Sequence, residues 1–162
     1  METGITLEQS ENKNPHKNRV HRVLAHSYFF YFMIFLLALF LDFAFPLKVF
    51  HESNLTYIGV LLLILGPLLI FWAQISSHKL KKENMNKESF CNGPYRYTRG
   101  PTNFGIFILI LGFGITVNAL FVVVLALISF IITRLTFIKK EEKILAERYG
   151  TSYIEYKKMV KF

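Results

Sequence analysis

The sequence predicts an all-α polytopic membrane protein with four transmembrane helices, a C-terminal helical hairpin and a cytoplasmic helical tail. Hydrophobic residues make up 52% of the 162 residues, and the mean hydropathy is +0.35. That apolar content exceeds what one soluble domain of this length can bury. The apolar residues also form blocks long enough to cross a hydrocarbon core of about 30 Å, which takes roughly 20 helical residues. Composition and spacing therefore favour a bilayer as the solvent.

Four apolar blocks are assigned as transmembrane spans, and a polar arm precedes them. Residues 1–27 carry mixed charges and lack a sustained apolar period, so they are predicted to form a disordered arm or a short interfacial segment. The remaining residues, 28–162, are predicted to form a single domain. Within it, we assign spans to residues 28–45, 55–75, 103–117 and 119–138, a cytoplasmic loop to 76–102 and a cytoplasmic tail to 139–162.

Glycine, proline and asparagine positions predict how the spans pack and turn. In the second span, Gly59 and Gly66 are seven residues apart and share a helix face, which predicts close contact with a neighbouring helix. Pro67 predicts a kink in the same span. The apolar run 103–138 is too long for one span and must fold back. Asn118 is the predicted turn residue, because asparagine adopts turn conformations that most residues avoid.

The basic residues predict the orientation of the spans. Of the 19 lysines and arginines, four precede the first span, six lie in the loop, seven follow the last span, and Lys48 alone falls on the opposite side. The remaining one, Arg134, lies inside the last span near its cytoplasmic end. Positive charge concentrates in cytoplasmic loops, so both termini are predicted to be cytoplasmic in a multi-pass protein of the cell (inner) membrane. Membrane lipids, rather than nucleic acid, are therefore the expected partners of a chain with a net charge of +8.

The segment Gly93–Gly105, which joins the loop to the third span, is the first whose residues are suited to bind a ligand. Gly100 at the cap and Pro101 at the first helical position predict a well-formed helix start. An anionic ligand group would dock at its free N–H groups with Arg99 beside it, and Tyr95 would stack on a planar ring. The alternative is that tyrosine, arginine and proline only anchor the loop at the lipid headgroups.

The tail is the second such segment. Residues 139–150 extend the last helix beyond the membrane and place Glu141 and Glu142 one turn past the bilayer, before Gly150 stops the helix. Taken alone, these carboxylates favour a solvated helix with charge pairs worth ~0.3 kcal/mol each over a binding site.

Together, the loop and the tail resemble the isoprenylcysteine carboxyl methyltransferase and phospholipid methyltransferase group of membrane enzymes. That group carries a G-P-Y-R-[YF]-x-R-H-P-x-Y-x-G stretch before a helical hairpin, and an E-E-x-x-L segment, an aromatic-glycine pair and a tyrosine-rich tail after it. Here the first stretch reads GPYRYTRGPTNFG at 93–105, and the second part begins at Glu141. The family's histidine is Gly100 and its tyrosine is Asn103, so the resemblance implies a variant subgroup that keeps the surrounding arginine, proline and glycine.

The resemblance implies S-adenosylmethionine as the methyl donor and a lipophilic small molecule or a lipidated substrate as the acceptor, with isoprenylcysteine-type carboxyl O-methylation as the reaction. Arg134 and Asn103 are the candidate catalytic residues. Arg134 lies seven residues before Glu141 and would orient that carboxylate or bind an acidic acceptor, while Asn103 would replace part of the hydrogen bonding of the family's tyrosine. Trp72 and Gln74 would line the access path of the acceptor. The candidate cofactor-binding residues are Tyr95, Arg99, Gly100, Pro101, Asn103, Gly105, Glu141, Glu142 and Tyr153.

Three other functions stay open from the sequence. A non-enzymatic four-helix protein would use the loop and tail to bind anionic lipid, and the missing histidine favours it. A phospholipid or amine N-methyltransferase would use the same fold on another acceptor. A membrane reductase related to the sterol reductases would bind NADPH. No metal is expected, because Cys91 is the only cysteine, and the oligomeric state is left open.

Overall fold

A computed structural model describes residues 15–48, 53–79 and 93–160, and every regular element within them is helical. The predicted all-α class is therefore confirmed, while residues 1–14 of the predicted arm and residues 80–92 of the predicted loop lie outside the described residues. The helices are α1 (Pro15–Ala44), α2 (Ser53–Lys79), α3 (Pro101–Val117), α4 (Leu120–Thr133), α5 (Lys139–Tyr149) and α6 (Thr151–Met159). A 3-10 turn (Gly93–Arg96) precedes α3, and a π turn (Arg134–Ile138) joins α4 to α5.

Three helical segments are long and apolar enough to cross a membrane, namely Arg22–Ala44, Leu55–Ser77 and Leu120–Glu147. The fourth predicted span, α3, has 17 residues and is about 25 Å long at 1.5 Å per residue, which is shorter than a typical hydrocarbon core. Its length is fixed by Pro101 at the first position and by the turn at Asn118. By length and composition, three to four helices of the described chain are apolar enough to span a membrane.

The first helix begins well before the predicted span that starts at residue 28. Hydropathy marks only the apolar part of a helix, whereas α1 begins at Pro15, and proline is common at a helix start. The polar Ser27, placed in the predicted arm, is only 1% exposed in the bundle. The end of the predicted arm is therefore part of the helical domain.

Four glycines form a close antiparallel seam between α2 and α3. A Cβ atom added to Gly66 would lie 3.0 Å from the carbonyl oxygen of Gly105, and one added to Gly112 would lie 2.9 Å from that of Gly59. Such distances are too short for any side chain, so the two backbones are in direct contact. This confirms the close helix contact that the glycine spacing predicts. The helix continues through Pro67.

The chain reverses at Asn118, as predicted. This residue has the left-handed conformation (φ 57°, ψ 44°) that ends α3, and the N–H of Ala119 donates to the carbonyl oxygen of Gly114 at 2.8 Å. Asparagine tolerates this conformation better than most residues because its short polar side chain can hydrogen-bond to the nearby backbone and so offset the steric cost. We call the end of the bundle at Asn118 the turn end and the opposite end, which carries 93–100, the loop end.

Asp42 of α1 caps the first turn of α4 at the turn end. Its carboxylate accepts hydrogen bonds from the backbone N–H groups of Phe121 at 3.1 Å and Val122 at 2.9 Å. Beneath these bonds, Ala38 packs against Ala119 and Val122, all of them buried. A negative charge is favourable at a helix N-terminus, so Asp42 fastens α1 to the hairpin.

The helix that follows the turn continues past the apolar region and ends at Gly150, as predicted. The π turn interrupts it, and Gly150 ends it with φ 57°, after which α6 begins. A further helix in the tail was not predicted.

Candidate functional site

The two motif segments meet at the loop end of the bundle. Because the hairpin reverses the chain, Arg99, which lies just before α3, contacts Glu142 on α5, with 2.6 Å between Nη1 and Oε1. Both side chains are largely buried, with exposed fractions of 14% and 10%. A contact between the predicted cofactor-binding loop and the predicted acidic helix is therefore present in the fold.

Lys157 of α6 completes an ion network with the same carboxylate. Its Nζ lies 2.8 Å from Oε2 of Glu142, so this one side chain is bonded by Arg99 and Lys157 from two different segments. We call these three residues the ion network. Removing one partner of a buried ion pair leaves an uncompensated charge, which costs about 3–5 kcal/mol. The network thus ties the loop, α5 and α6 to one another.

The tail helix packs against the 3-10 turn through its tyrosines. The hydroxyl of Tyr156 donates to the carbonyl oxygen of Tyr95 at 2.7 Å. Tyr153 and Tyr156 are each 2% exposed, their ring centroids are 5.7 Å apart, and Val160 packs with them. Burial raises the pKa of Tyr153, and the negative charges of Glu142 and Glu141 add to that rise. Tyr153 is therefore a neutral phenol on α6 that lies close to both carboxylates.

A group of hydroxyls lies beside Glu141. Burial raises the pKa of Tyr95 to about 12, and the charge of Glu141 contributes to the rise, while hydrogen bonding by the Ser77 and Thr102 side chains opposes it. The Tyr28 side chain faces the same Glu141 and Thr102. We call Tyr28, Tyr95, Thr102 and Glu141 the polar cluster. At neutral pH its tyrosines are protonated, so they serve as hydrogen-bonding groups and not as bases.

Asn103, where the family has a tyrosine, is buried between helices. It is 2% exposed, and its Oδ1 accepts a hydrogen bond from the hydroxyl of Ser27 at 2.9 Å. The structure thus places Asn103 at the contact between α1 and α3, one turn below the ion network.

Gly100, where the family has a histidine, lies against Ile138. A Cβ atom added there would be 3.0 Å from Cδ1 of Ile138, which is itself only 5% exposed. The backbone at this position has φ −130°, which any residue adopts, so the obstacle to a side chain is the isoleucine. The neighbouring Pro101 is buried at the start of α3, and Gly105 belongs to the glycine seam against Ile70.

Arg134 begins the π turn and lines a groove between α3 and α4. The expectation that it shares a helix face with Glu141 assumed an unbroken α-helix, and it does not hold. A π turn inserts about one extra residue, which rotates the following residues by about 100° relative to a regular helix. Arg134 therefore contributes to this groove, whereas Glu141 lies in the polar cluster.

The α3–α4 groove has a volume of about 420 Å³. Its walls are formed by Tyr97, Thr98, Phe104, Phe130, Ile131, Arg134 and Leu135. A second groove of about 380 Å³, the α1–α3 groove, is apolar and begins at Tyr28 of the polar cluster. Its walls are formed by Tyr28, Tyr31, Phe32, Phe35, Leu63, Ile106, Leu109, Ile110 and Phe113.

The two residues predicted to line the access path lie on the outer part of α2. Trp72 is 48% exposed, and its indole Nε1 would be 3.2 Å from a Cβ added to Gly93, so it packs against the start of the 3-10 turn. Gln74, half a helical turn later, is also exposed. Its backbone carbonyl oxygen accepts a hydrogen bond from the hydroxyl of Ser77 at 3.0 Å.

A comparison with protein-family models identifies this arrangement. The model described as phospholipid methyltransferase matches residues 55–152, which is more than half of the chain. The chain belongs to the phospholipid methyltransferase family. Comparison with curated proteins and with solved structures finds no match. As a member of the phospholipid methyltransferase family, the protein is a membrane methyltransferase, which confirms the resemblance that the loop and tail motifs indicate.

The family match covers nearly all of α2 and the whole of α3, α4 and α5. It includes Arg99 and both glutamates and ends before Tyr153. Three residues of the site were missed from the sequence, namely Tyr28, Thr102 and Lys157. Thr102 lies between the predicted site residues Pro101 and Asn103, and Lys157 follows the tyrosine pair of the tail, so both are adjacent to motif residues. For Tyr28 the sequence offers only its position in an aromatic run.

Proposed function

We propose that the protein is an integral-membrane S-adenosylmethionine-dependent methyltransferase that acts on a lipophilic acceptor, with isoprenylcysteine-type carboxyl O-methylation as the reaction. The observation that carries the proposal is the Arg99–Glu142 contact at 2.6 Å, which joins the two family motifs across the hairpin. The site lies at the loop end, which is the predicted cytoplasmic side.

The residues at the loop end fit S-adenosylmethionine in the chemistry of their donor groups. The methionine part of that molecule carries both an ammonium and a carboxylate, and the site offers charged groups of both signs within the ion network and the polar cluster. Arg99 would bind the carboxylate beside the start of α3, and Glu141 would bind the ammonium or the ribose hydroxyls. Tyr95 of the loop and Tyr153 of the tail would supply aromatic or hydroxyl contacts around the adenosine.

The bound sulfonium supplies a methyl group that is transferred by in-line displacement with loss of positive charge. Such a reaction gains from alignment and from exclusion of water. A carboxylate acceptor is already ionised at neutral pH, so no general base is needed. The protonated hydroxyl of Tyr95 is suited to orient an acceptor oxygen by hydrogen bonding.

The α1–α3 groove is suited to the hydrocarbon chain of the acceptor. On α3, Thr102, Ile106, Leu109 and Phe113 follow one another at spacings of four, three and four residues, so they share a helix face. This face leads from the apolar groove to the polar cluster, and Tyr28 belongs to both. The reactive group of an acceptor in the groove would therefore reach Glu141 and Tyr95.

Asn103 and the α2 pair have supporting roles in this proposal. Asn103 holds α1 through Ser27 and thereby keeps Tyr28 at the head of the groove, which makes it a positioning residue. Trp72 and Gln74 would form the rim of the access path on the α2 side.

A second candidate acceptor is the amine of a phospholipid. The observation in its favour is Glu141 at the head of the groove, because a carboxylate attracts an ammonium group and repels a second carboxylate. The family match, described as phospholipid methyltransferase, points the same way.

Calorimetric titration of the purified protein in detergent with S-adenosylmethionine tests the proposal. We expect binding, with an affinity at least about tenfold lower for Glu141→Gln, because a charge-assisted hydrogen bond is worth ~1.5 kcal/mol or more. Glu147→Gln, an exposed position on the same helix, is the matched control and should bind as wild type does. Folded protein without binding, or equal affinity of Glu141→Gln and the control, would overturn the proposal.

The acceptor is identified by transfer of a labelled methyl group. Membranes with the protein would be supplied with a prenylated cysteine or with phosphatidylethanolamine, and the labelled product identified by mass spectrometry. Label in an ester supports carboxyl O-methylation, whereas label on nitrogen establishes the second candidate in its place.

A further inference from the structure

The α3–α4 groove combines an apolar wall with one charged residue at its end. Among its lining residues, two phenylalanines and two aliphatic residues are apolar, and Arg134 is the cation. Tyr97 and Thr98 of the loop form the same end as Arg134, so the groove extends from the loop into the apolar zone of the bundle.

The floor of the groove is a fixed aromatic surface. The rings of Phe107 and Phe130 are stacked with centroids 4.4 Å apart, and Phe104 lies 5.9 Å from Phe130. The outer walls are open to the surroundings of the bundle, because Ile131 and Leu135 are 57% and 56% exposed. A hydrocarbon chain of the bilayer would therefore enter the groove from the side and lie against the rings.

The charge at the loop end selects an anionic headgroup. A guanidinium binds phosphate with two parallel hydrogen bonds, and an arginine within a membrane-spanning helix normally serves a function. Two exposed lysines, Lys139 and Lys140, follow the π turn directly and add positive charge near the same level. Arg134 is thus placed where the phosphate of a phospholipid lies when its acyl chain occupies the groove.

This groove lies apart from the proposed acceptor groove. Phe104, on its floor, is two residues from Thr102 and so lies about 200° around α3 from the face that leads to the polar cluster. A phosphate at Arg134 would therefore be held on the other side of α3 from Glu141. We propose that the α3–α4 groove is a binding site for one anionic phospholipid, held by its phosphate at Arg134 and by one acyl chain along Phe104 and Phe130.

Thermal unfolding in mixed micelles tests the proposal directly. The purified protein would be supplied with phosphatidylglycerol, with phosphatidylcholine of the same acyl chains, or with inorganic phosphate. We expect phosphatidylglycerol to raise the unfolding temperature more than phosphatidylcholine does, and inorganic phosphate to have no effect, because the site requires both the charge and the chain. Co-purified lipid, extracted and quantified by mass spectrometry, gives a second measurement.

Two variants with a matched control locate the site. Arg134→Gln should lower the affinity for phosphatidylglycerol by about tenfold, the expected effect of losing one charge-assisted contact. Ile131→Trp should fill the groove and reduce retained phosphatidylglycerol without changing the charge. Lys48→Gln removes the same charge from an exposed position at the turn end, far from the groove, and should behave as wild type.

Three results would overturn the proposal. The first is equal stabilisation of the wild type by the anionic and the zwitterionic lipid. The second is equal behaviour of Arg134→Gln, Ile131→Trp and the lysine control. The third is a higher KM for the methyl acceptor in Arg134→Gln with unchanged lipid retention, which would assign the arginine to an acidic acceptor. Lipid retention does not depend on methyl transfer, so failure of this proposal and failure of the proposed reaction are separate results.

Discussion

Replacing Asp42 by alanine should destabilise the bundle by about 2 kcal/mol, because α4 would lose its only described side-chain cap. The carboxylate accepts two backbone N–H groups, at 3.1 and 2.9 Å, from the first turn of α4. A hydrogen bond to a charged group contributes about 1.5–3 kcal/mol, and loss of an N-cap costs about 0.5–2 kcal/mol. Because Asp42 is half-buried and one of the freed N–H groups belongs to Val122, which is fully buried, the expected loss lies near the upper end of the capping range.

Asp42→Asn separates the two bonds. The amide keeps one acceptor oxygen and replaces the other with an NH₂ group that cannot accept a hydrogen bond. Asp42→Asn should therefore destabilise the bundle by ~1 kcal/mol, about half of the loss in Asp42→Ala. Unfolding in mixed micelles with increasing dodecyl sulfate, followed by the helical circular dichroism, measures the free energy of unfolding. A change of about 2 kcal/mol alters the unfolding equilibrium about 30-fold, which this measurement resolves.

Phe43→Ala is the matched control, because Phe43 is 88% exposed at the same end of α1. It should change the free energy of unfolding by less than about 0.5 kcal/mol. If Asp42→Ala were as stable as this control, the carboxylate would not hold α1 to the hairpin, and the reasoning from the two hydrogen bonds would be refuted.

Three further predictions concern the seam, the variant motif and the buried tyrosine. Gly66→Ala should cost about 1–3 kcal/mol in the same unfolding measurement, because its Cβ would lie 2.9 Å from a backbone nitrogen of α3; unchanged stability would show that the seam is loose. Gly100→His should weaken S-adenosylmethionine binding by about tenfold through overpacking against Ile138, and adding Ile138→Ala should restore it; calorimetry that finds the single and double variants equal would contradict the steric account. The pKa of Tyr95 is raised to about 12 in the folded protein, whereas a tyrosine in the unfolded chain has a pKa of about 10. The unfolded chain therefore loses the proton first as the pH rises. The contribution of the neutral phenol to the free energy of unfolding is complete below pH 10 and decreases as the pH rises toward 12. Between pH 9 and pH 12 the free energy of unfolding should fall less in Tyr95→Phe than in the wild type, by at most ~2 kcal/mol. If the two proteins showed the same pH dependence, the raised pKa of Tyr95 would be contradicted.

Local features of the fold were predictable because single residues determine them. Asn118 and Gly150 both occupy the left-handed region of φ, which few other residue types adopt at low cost, so the turn and the helix stop followed from residue identity. The glycine spacing of α2 predicted its seam for a similar reason. Hydropathy, in contrast, marks only where a helix is apolar, so it missed the start of α1 and placed the start of α3 two residues late.

The candidate site was predictable in its sequence motifs and less so in its three-dimensional arrangement. The meeting of Arg99 with the acidic helix followed from an even number of spans and a tight hairpin. The relation between Arg134 and Glu141 did not, because nothing in the apolar run marks the π turn that changes the helical register. Lys157 and Tyr28 reach the site from distant parts of the chain, and their positions depend on packing that no local pattern encodes.

The glycine seam determines which part of the bundle yields when a hydrocarbon chain enters. Backbone contact makes α2 and α3 a single stiff body, whereas α1 is fastened near the two ends of its apolar part, by Ser27 to Asn103 and by Asp42 to α4. A helix fixed at two points widens a groove by bowing between them, and swinging outward would break one of the two contacts. The length and width of the chains that the groove accepts would then depend on the bending stiffness of α1 between Ser27 and Asp42.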